Sequence, residues 1–375
     1  MSSLRASVVC FTGNSGLTHY SVALCRELGR FCEVTFVTAE NFESVLHHPS
    51  FKLKTLFRRS RHYLQDMLRF IVDTLKSRPD ILLAQSVIKF AVVDALAIRF
   101  IRMTGISTAL TVHDVLPHYP KPWSCWAYGF YFRSFDRLIV HSARAREEVE
   151  KMAPRQRVLT VPHGVYDIFN TLNLSRSQAA SHFPSLRDEH FVFLFFGHQD
   201  RRKGLEAFLD AADTLRVKPG VRFVLAGKSA LDNDPMLRGK LDRAKNDPHF
   251  IVHDHRIPFA DVQFYFARAD VVVLPYLEGT TSGVLKLAMA FGKPVIATDV
   301  GDLPETVLEG MGLVISHAAL PSELVDAMNQ AVGDYPQLQQ RCIGVAAKYA
   351  WDRIAEQYFN FLADGVENER IRGCD

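Results

Sequence analysis

The chain has 375 residues, enough for two domains or one large one. Its apolar content of 48% and charged content of 23% are ordinary for a globular protein, and a net charge of +3 gives no reason to expect a nucleic-acid partner. The six scattered cysteines form no CxxC pair, which disfavours zinc and disulfide frameworks and favours a reducing cytoplasm. Residues 1–14 are not apolar enough for a signal peptide, and no apolar run approaches the roughly 18 residues of a membrane span.

The first half of the chain alternates short β-rich runs with segments of helical apolar spacing. Helices are predicted over 18–30 and 143–152. Strands are predicted at 7–12, 33–38, 81–85, 108–112, 137–141 and 157–161. Continuous apolar strands that alternate with helices indicate a parallel sheet covered on both faces.

The same rhythm restarts after a polar segment, 166–190, which we interpret as the seam between two domains. Strands are predicted at 191–196, 222–226, 249–252, 270–275, 294–298 and 312–315. Two such series predict two doubly wound α/β domains, with a ligand site at the carboxyl ends of the strands, in the cleft between the domains.

The stretch LEGTTSGVLKLAMAFGKPVIATDVGDLPE, residues 277–305, follows the strand at 270–275. Glu278 comes just after that strand, and Thr281 or Ser282 is placed to cap a helix that begins near Gly283. A helix start suits phosphate, whereas a carboxylate suits sugar hydroxyls. The alternative is an ordinary capped surface helix.

This stretch resembles the donor-binding signature of family 4 glycosyltransferases, which have the GT-B fold. FLFFGHQDRRKGLEAFLDAA (193–212) is similar to their diphosphate-binding loop, and further likeness lies in NSGLTHYSVALCREL (14–28), LTVHDVLPH (110–118), VPHGVYDIF (161–169) and YAWDRIAEQYFNFL (349–362). The resemblance implies two Rossmann-like doubly wound domains with an interdomain cleft. It assigns residues 1–170 to an acceptor domain, 185–350 to a nucleotide-sugar donor domain and 351–375 to a helix that crosses back to the first domain.

The resemblance also implies roles for residues of the second half. Glu278 matches the acid that holds the donor sugar, and Lys203 matches the lysine of the diphosphate loop, where a histidine, His198, replaces the family arginine. The remaining donor contacts are expected from Arg202, Arg256, Thr280, Thr281, Ser282 and Gly283. The second family acid, which commonly holds the ribose, is replaced by Lys286, so that ribose either binds differently here or is recognised less tightly. The alternative interpretation of Lys286 is a helix-face lysine that reaches solvent.

In the first half, His113 matches a histidine that lies near the transferred sugar in many relatives. We expect His113, Glu278 and Lys203 to form the catalytic set. Asp114 either orients His113 or receives an acceptor hydroxyl, and Gly16 with Ser15 lets the backbone approach the phosphates or the acceptor.

By this resemblance the protein is a retaining transferase that moves a hexose from a nucleotide sugar to a lipid-linked or polysaccharide acceptor, in cell-surface or exopolysaccharide synthesis. The family needs no essential divalent metal and no further cofactor, and LDNDP (231–235) is predicted to be a turn rather than a metal site. Three alternatives remain: a GT-B sugar-nucleotide epimerase, a non-catalytic partner subunit, and a dinucleotide oxidoreductase, which the lack of a GxGxxG motif between a strand and a helix disfavours.

Two further segments bear on the acceptor. FKLKTLFRRSRHYLQDMLRF (51–70) mixes six basic residues with leucines and aromatics, and KPWSCWAYGFYFRSF (121–135) is dense in aromatics. Such stretches suit docking on an anionic membrane, which predicts a cytoplasmic protein on the inner face of the membrane. The alternative is a pair of core helices with solvated, charged rims.

Overall fold

The structure, a computed structural model, describes residues 4–58, 60–117, 120–279 and 282–372, with the side-chain surroundings of all of these except 60 and 365–372. The chain divides into two compact units. Unit 1 contains residues 1–164 and 349–375, and unit 2 contains residues 165–348. Each has its own parallel sheet and its own apolar core.

The sheet of unit 1 has seven parallel strands in the order β3-β2-β1-β4-β5-β6-β7. The strands are β1 Arg5–Val9, β2 Glu33–Ala39, β3 Phe51–Phe57, β4 Ile81–Ala84, β5 Ser107–Thr111, β6 Arg137–Val140 and β7 Arg157–Thr160. The order reverses between β1 and β4, where a doubly wound sheet opens a crevice at its carboxyl edge.

The sheet of unit 2 has six parallel strands in the order β10-β9-β8-β11-β12-β13. The strands are β8 Phe191–Phe196, β9 Val221–Ala226, β10 Phe250–His253, β11 Val271–Leu274, β12 Val295–Thr298 and β13 Gly312–Ile315. Its order reverses between β8 and β11, so the loops that follow these two strands meet at one place.

Helices cover both sheets, as the alternating pattern predicts. Those of unit 1 are α1 Gly16–Leu28, α2 Tyr63–Ser77, α3 Ala91–Met103, α4 Ser124–Phe132, α5 Ala143–Met152 and α14 Trp351–Arg372. Those of unit 2 are α6 Arg176–Ala180, α7 Leu205–Leu215, α8 Pro235–Lys245, α9 Val262–Arg268, α10 Gly283–Ala290, α11 Leu303–Thr306, α12 Ser322–Gly333 and α13 Tyr335–Ala346.

Two parts of the chain differ from the sequence interpretation. Residues 51–57, interpreted as the start of an amphipathic basic segment, form the edge strand β3 beside β2. The polar segment 166–190, interpreted as a seam, lies in unit 2, where Arg176 makes a two-pronged ion pair to Asp270 at 2.9 and 3.0 Å. This pair, of which Asp270 is buried and Arg176 partly exposed, fixes a segment that has no apolar pattern of its own.

The last helix, α14, belongs to unit 1 and packs against α1. The hydroxyl of Tyr358 lies 2.9 Å from that of Tyr20 and 3.1 Å from that of Thr111. Trp351 packs over Gly164, where an added Cβ would lie 2.5 Å from the indole ring. A side chain at position 164 would therefore displace the start of the helix.

Candidate active site

The loop between β8 and α7 lies against the loop after β11 because a glycine permits the close approach. Gly204 has a φ of 72°, and a Cβ there would lie 1.7 Å from the carbonyl oxygen of Pro275. The backbone carbonyl of Arg202 accepts hydrogen bonds from the N–H groups of Leu277, at 2.8 Å, and Glu278, at 3.4 Å. Residues 71 to 76 positions apart in sequence are thus held together at the reversal point of the sheet.

Lys203 is a cation that lies where the loops after β8 and β11 meet. Its ammonium nitrogen lies 3.7 Å from the centroid of the Tyr276 ring, and its backbone N–H donates to Asp200 at 2.9 Å. Burial lowers the pKa of Lys203 from its ordinary value of 10.5, although the charge of Asp200 opposes the change. A half-buried ammonium fixed on an aromatic face is a preorganised site for an anion.

The α10 helix begins beside this lysine. Ser282 caps it by accepting a hydrogen bond from the N–H of Leu285 at 3.3 Å, and the Tyr276 hydroxyl lies 3.0 Å from the Ser282 oxygen. Tyr276 therefore contacts both Lys203 and the helix cap. The sequence predicted Lys203, Ser282 and Gly283 for donor binding, but gave no role to Tyr276, whose buried ring links them.

The other residues predicted for this site have varied positions. Glu278 is exposed on the loop after β11, and His198 is exposed on the loop after β8. Arg202 forms an ion pair with Asp200 at 3.3 Å. Arg256 is exposed on the loop after β10, which is separated from β8 by β9. Thr280 and Thr281 lie outside the described residues.

Arg201, which precedes Arg202 in the loop after β8, is engaged in ion pairs. Its guanidinium forms ion pairs with Glu206 and, at 2.9 Å, with Asp234. Asp234 also caps α8 by accepting from the N–H of Leu237 at 3.1 Å, so LDNDP is the predicted turn leading into a helix. Across the described residues, no group of three or more His, Cys, Asp or Glu side chains is arranged to hold a metal ion.

Lys286 is buried, so its interpretation as a lysine that reaches solvent is wrong. Its side chain is 8% exposed, in a helix whose residues 285–289 are all buried. Burial lowers the pKa of Lys286 to about 8, against the opposing charges of Glu309, Asp302 and Glu305. A helix that is apolar on all sides is normally buried on all sides, which was the signal available in the sequence.

In unit 1, the residues predicted from the glycine loop begin α1. Ser15 is the N-cap: its oxygen accepts from the N–H of Thr18 at 3.4 Å, while its own N–H donates to the Thr18 hydroxyl at 3.2 Å. Gly16 is the first helical residue. The Ser15 hydroxyl thus has a structural task, and Asp114 is exposed after β5.

Three histidines follow three neighbouring strands at the carboxyl edge of this sheet. His113, His141 and His163 come after β5, β6 and β7 and surround Tyr20, with ring centroids 4.6, 5.2 and 4.7 Å from the tyrosine centroid. Nε2 of His113 lies 3.3 Å from Oε1 of Gln85, which follows β4. Burial and the nearby His141 hold the pKa of His113 well below its ordinary value, so the ring is neutral at neutral pH.

The sequence predicted His113 but not its neighbours. The missed signal was the position of these polar residues: Gln85 and His141 end predicted strands, His113 and His163 follow them within two residues, and parallel strands end at the same edge. Gln85 and the neutral ring of His113 thus give this edge uncharged hydrogen-bonding groups, which suit hydroxyls better than phosphates.

The chain matches two family descriptions, "Glycosyltransferase Family 4" over residues 14–167 and "Glycosyl transferases group 1" over residues 190–334. Together these matches cover most of both units. The protein belongs to the family 4 glycosyltransferases. The family resemblance predicted from the donor signature is thereby confirmed.

Curated relatives of this glycosyltransferase include a D-inositol 3-phosphate glycosyltransferase of Paenarthrobacter aurescens, 31% identical over 237 residues, 58% of this chain and 55% of that protein. Another is an alpha-maltose-1-phosphate synthase of Mycolicibacterium smegmatis, 24% identical over 287 residues, 68% of this chain and 72% of that protein. The chain spans between half and two thirds of the first three inositol-phosphate enzymes it matches.

Solved structures that are similar to this family 4 glycosyltransferase confirm the GT-B fold, with two parallel-sheet α/β domains. Sucrose-phosphate synthase of Thermosynechococcus elongatus has a TM-score of 0.74 at 17% identity, over 96% of this chain and 98% of that one. HepE of Anabaena in complex with UDP has a TM-score of 0.73 at 16% identity, over 96% of this chain and all of that one. At these identities the likeness concerns the fold.

Proposed function

We propose that the protein is a retaining glycosyltransferase that moves a hexose from a nucleotide-sugar donor to a lipid-linked or polysaccharide acceptor. The observation that carries the donor assignment is the Lys203 ammonium, held 3.7 Å from the Tyr276 ring next to the start of α10. A cation and a helix N-terminus at one point suit a diphosphate. HepE of Anabaena, which is similar in fold, was solved with UDP and with UDP-glucose, which supports this choice of ligand class.

The chemistry divides among these residues. As the glycosidic bond breaks, negative charge grows on the diphosphate, and Lys203 with the first amides of α10 stabilises it. Glu278, exposed beside this site, accepts hydrogen bonds from hydroxyls of the sugar. The leaving phosphate takes the proton of the acceptor hydroxyl, so the transfer uses no protein base and no metal ion.

We assign donor recognition to unit 2 and acceptor recognition to unit 1. The neutral edge formed by Gln85 and His113 supports a hydroxylated ligand for unit 1, because both side chains hydrogen-bond without a full charge. A lipid-linked acceptor places the protein on the inner face of the membrane. None of the helices among the described residues combines the length and apolarity of a membrane span.

A thermal-shift screen against UDP-, GDP-, ADP- and dTDP-sugars, with NAD as the comparison, tests the donor assignment. At about 100 times the dissociation constant, the cognate nucleotide should stabilise the protein by about 2.7 kcal/mol and raise its melting temperature by about 3 °C. Lys203→Ala should remove at least about half of this shift. Stabilisation by NAD alone, or by none of these compounds, would overturn the proposal.

A turnover assay on the cognate donor then separates the enzyme classes. A transferase releases the nucleoside diphosphate faster when an acceptor is added. An epimerase changes the donor sugar without an acceptor, and a non-catalytic subunit binds the donor without turnover. Either of the last two outcomes would replace the proposed activity.

A further inference from the structure

Helices α2 and α3 of unit 1 are apolar on their outer sides as well as their inner sides. Their inner sides carry the core residues Met67, Phe70, Ala95 and Ile98. The outer side of α2 exposes Leu64, Leu68 and Val72. The outer side of α3 exposes Val93, Leu96, Phe100 and Met103. A helix at the surface of a globular protein ordinarily has one apolar side, so the second one calls for a partner.

The exposed side of α3 continues onto α4, which it contacts, as α2 contacts α3. Trp123 and Trp126 are 60% and 61% exposed at the start of α4. We call the exposed residues of α2 and α3, together with these two tryptophans, the apolar face. The sequence interpretation missed the α3 portion, because its outer residues were not distinguishable from core residues without the packing.

Cations border the apolar face. The Lys121 ammonium lies 5.2 Å from the Trp123 ring centroid, the Lys89 ammonium 5.2 Å from that of Phe90, and the Arg99 guanidinium 4.2 Å from that of Phe130. A lysine or arginine that lies along an aromatic ring keeps its charge at the rim while its stem covers apolar surface.

Positive charge is concentrated in this part of the chain. Residues 58–135 contain eleven Lys and Arg against five Asp and Glu, a surplus of six, whereas the whole chain carries +3. Four of the five acids are engaged. Asp66 pairs with Arg58 at 2.7 Å, Asp73 with Lys54, and Asp80 with Arg5 at 3.6 Å, while buried Asp94 accepts from the Tyr63 hydroxyl at 2.6 Å.

We propose that the apolar face is a membrane-docking surface, which lies in the headgroup layer of an anionic bilayer with its apolar side chains toward the acyl chains. Tryptophans beside apolar residues, with a cationic rim, fit the polarity gradient of such an interface. A second copy of this chain is a poorer occupant, because a two-fold contact would bring two positive rims together.

The structure also changes the basis of membrane binding expected from the sequence. Within the basic segment 51–70, Lys52, Lys54 and Arg58 form ion pairs with Glu33, Asp73 and Asp66. Their charges are thus largely compensated within unit 1. Insertion of apolar side chains, rather than the charge of this segment, supplies most of the binding, and the charges of the rim orient it.

The inference deepens the proposed function, since docking gives access to a lipid-linked acceptor, but its test needs no substrate. The full-length protein is sedimented with vesicles of equal parts phosphatidylcholine and phosphatidylglycerol. The test variant is Leu96→Gln/Met103→Gln, at positions 57% and 78% exposed. The matched control is Met236→Gln/Ile343→Gln, at positions 72% and 61% exposed in unit 2.

The test variant should bind these vesicles at least about tenfold more weakly than the wild type, and the control within about twofold of it. Added salt should weaken wild-type binding without abolishing it. Complete loss in salt would assign binding to charge alone and overturn the apolar insertion. Equal binding by both variants, or no binding by the wild type, would also overturn it.

Two further measurements distinguish membrane docking from self-association and from an effect on the donor site. Sedimentation velocity that shows a dimer abolished by the test variant, with no vesicle binding, would assign the face to self-association instead. The nucleotide thermal shift is measured on the same samples and should be unchanged in both variants. If vesicles bind but no nucleotide does, the proposed function fails while this inference stands.

Discussion

Replacing the buried lysine of α10 by methionine, Lys286→Met, should stabilise unit 2 at neutral pH. The side chain is 8% exposed, and burial lowers its pKa from 10.5 to about 8. The three acids whose charges oppose that shift are Glu309, Asp302 and Glu305, of which Glu305 and Glu309 are exposed. Methionine keeps most of the length of the lysine side chain and removes its charge, and water can hydrate the exposed carboxylates in its place.

The size of the effect follows from the pKa. Lowering the pKa from 10.5 to about 8 corresponds to about 3 kcal/mol of unfolding free energy lost by the wild type at pH 7, where Lys286 is protonated in both the folded and the unfolded state. Between pH 8 and 10.5 the unfolded state holds more protons than the folded state, so this contribution to stability rises with pH. The advantage of Lys286→Met should therefore shrink across this window.

Urea unfolding of both proteins at pH 7, 8, 9 and about 10 measures this difference. Lys218→Met, at an exposed position beyond the end of α7, is the control and should change the unfolding free energy by less than about 0.5 kcal/mol. A variant less stable than the wild type at pH 7 would show that Lys286 makes a net favourable interaction. A difference independent of pH would refute the assigned pKa.

Three further outcomes are expected. Lys203→Ala should reduce nucleoside diphosphate affinity about 10- to 100-fold in calorimetry, because it removes a charge-assisted contact; an effect no larger than that of the exposed Lys218→Ala would contradict the phosphate assignment. Glu278→Gln should lower the transfer rate far more than nucleoside diphosphate affinity, with exposed Glu189→Gln as its control; a variant that loses diphosphate binding would place Glu278 on the phosphates. Protonation of His113 is disfavoured in the folded state, so the unfolding free energy should fall as the pH drops below 6.5. His113→Gln should make that fall smaller. If the fall below pH 6.5 is the same in the variant, His113 is not its cause.

Much of the fold could be predicted from local patterns. The run FVFLFF is short, apolar and rich in aromatic residues, which favours a buried strand, and it forms β8. Ser282 and Gly283 begin α10 as predicted, since a serine that caps a helix needs only the following backbone amides. The edge strand β3 was missed although FKLK, residues 51–54, already alternates apolar and charged residues at the strand period of two, and its pairing with β2 shows that this pattern was the correct signal.

The candidate site depends on contacts between residues that are distant in sequence, which local patterns do not predict. Lys203 could be predicted from its loop, but its support on Tyr276 depends on β8 and β11 being neighbours although they are far apart in sequence. The apolar face of unit 1 has the same origin, because the sequence of α3 is apolar on two sides and only the packing decides which one the sheet covers.

By itself, the sequence determined the alternation of strands and helices, the helix caps and the family signature, all of which depend on residues a few positions apart. The tertiary structure decided that Lys286 is buried, that Arg201 is bound to Asp234, and that the histidines after β5, β6 and β7 surround Tyr20. The physical reason is that burial, ion pairing and pKa depend on which distant elements pack together. Sheet order sets that packing, and no local pattern in the chain contains it.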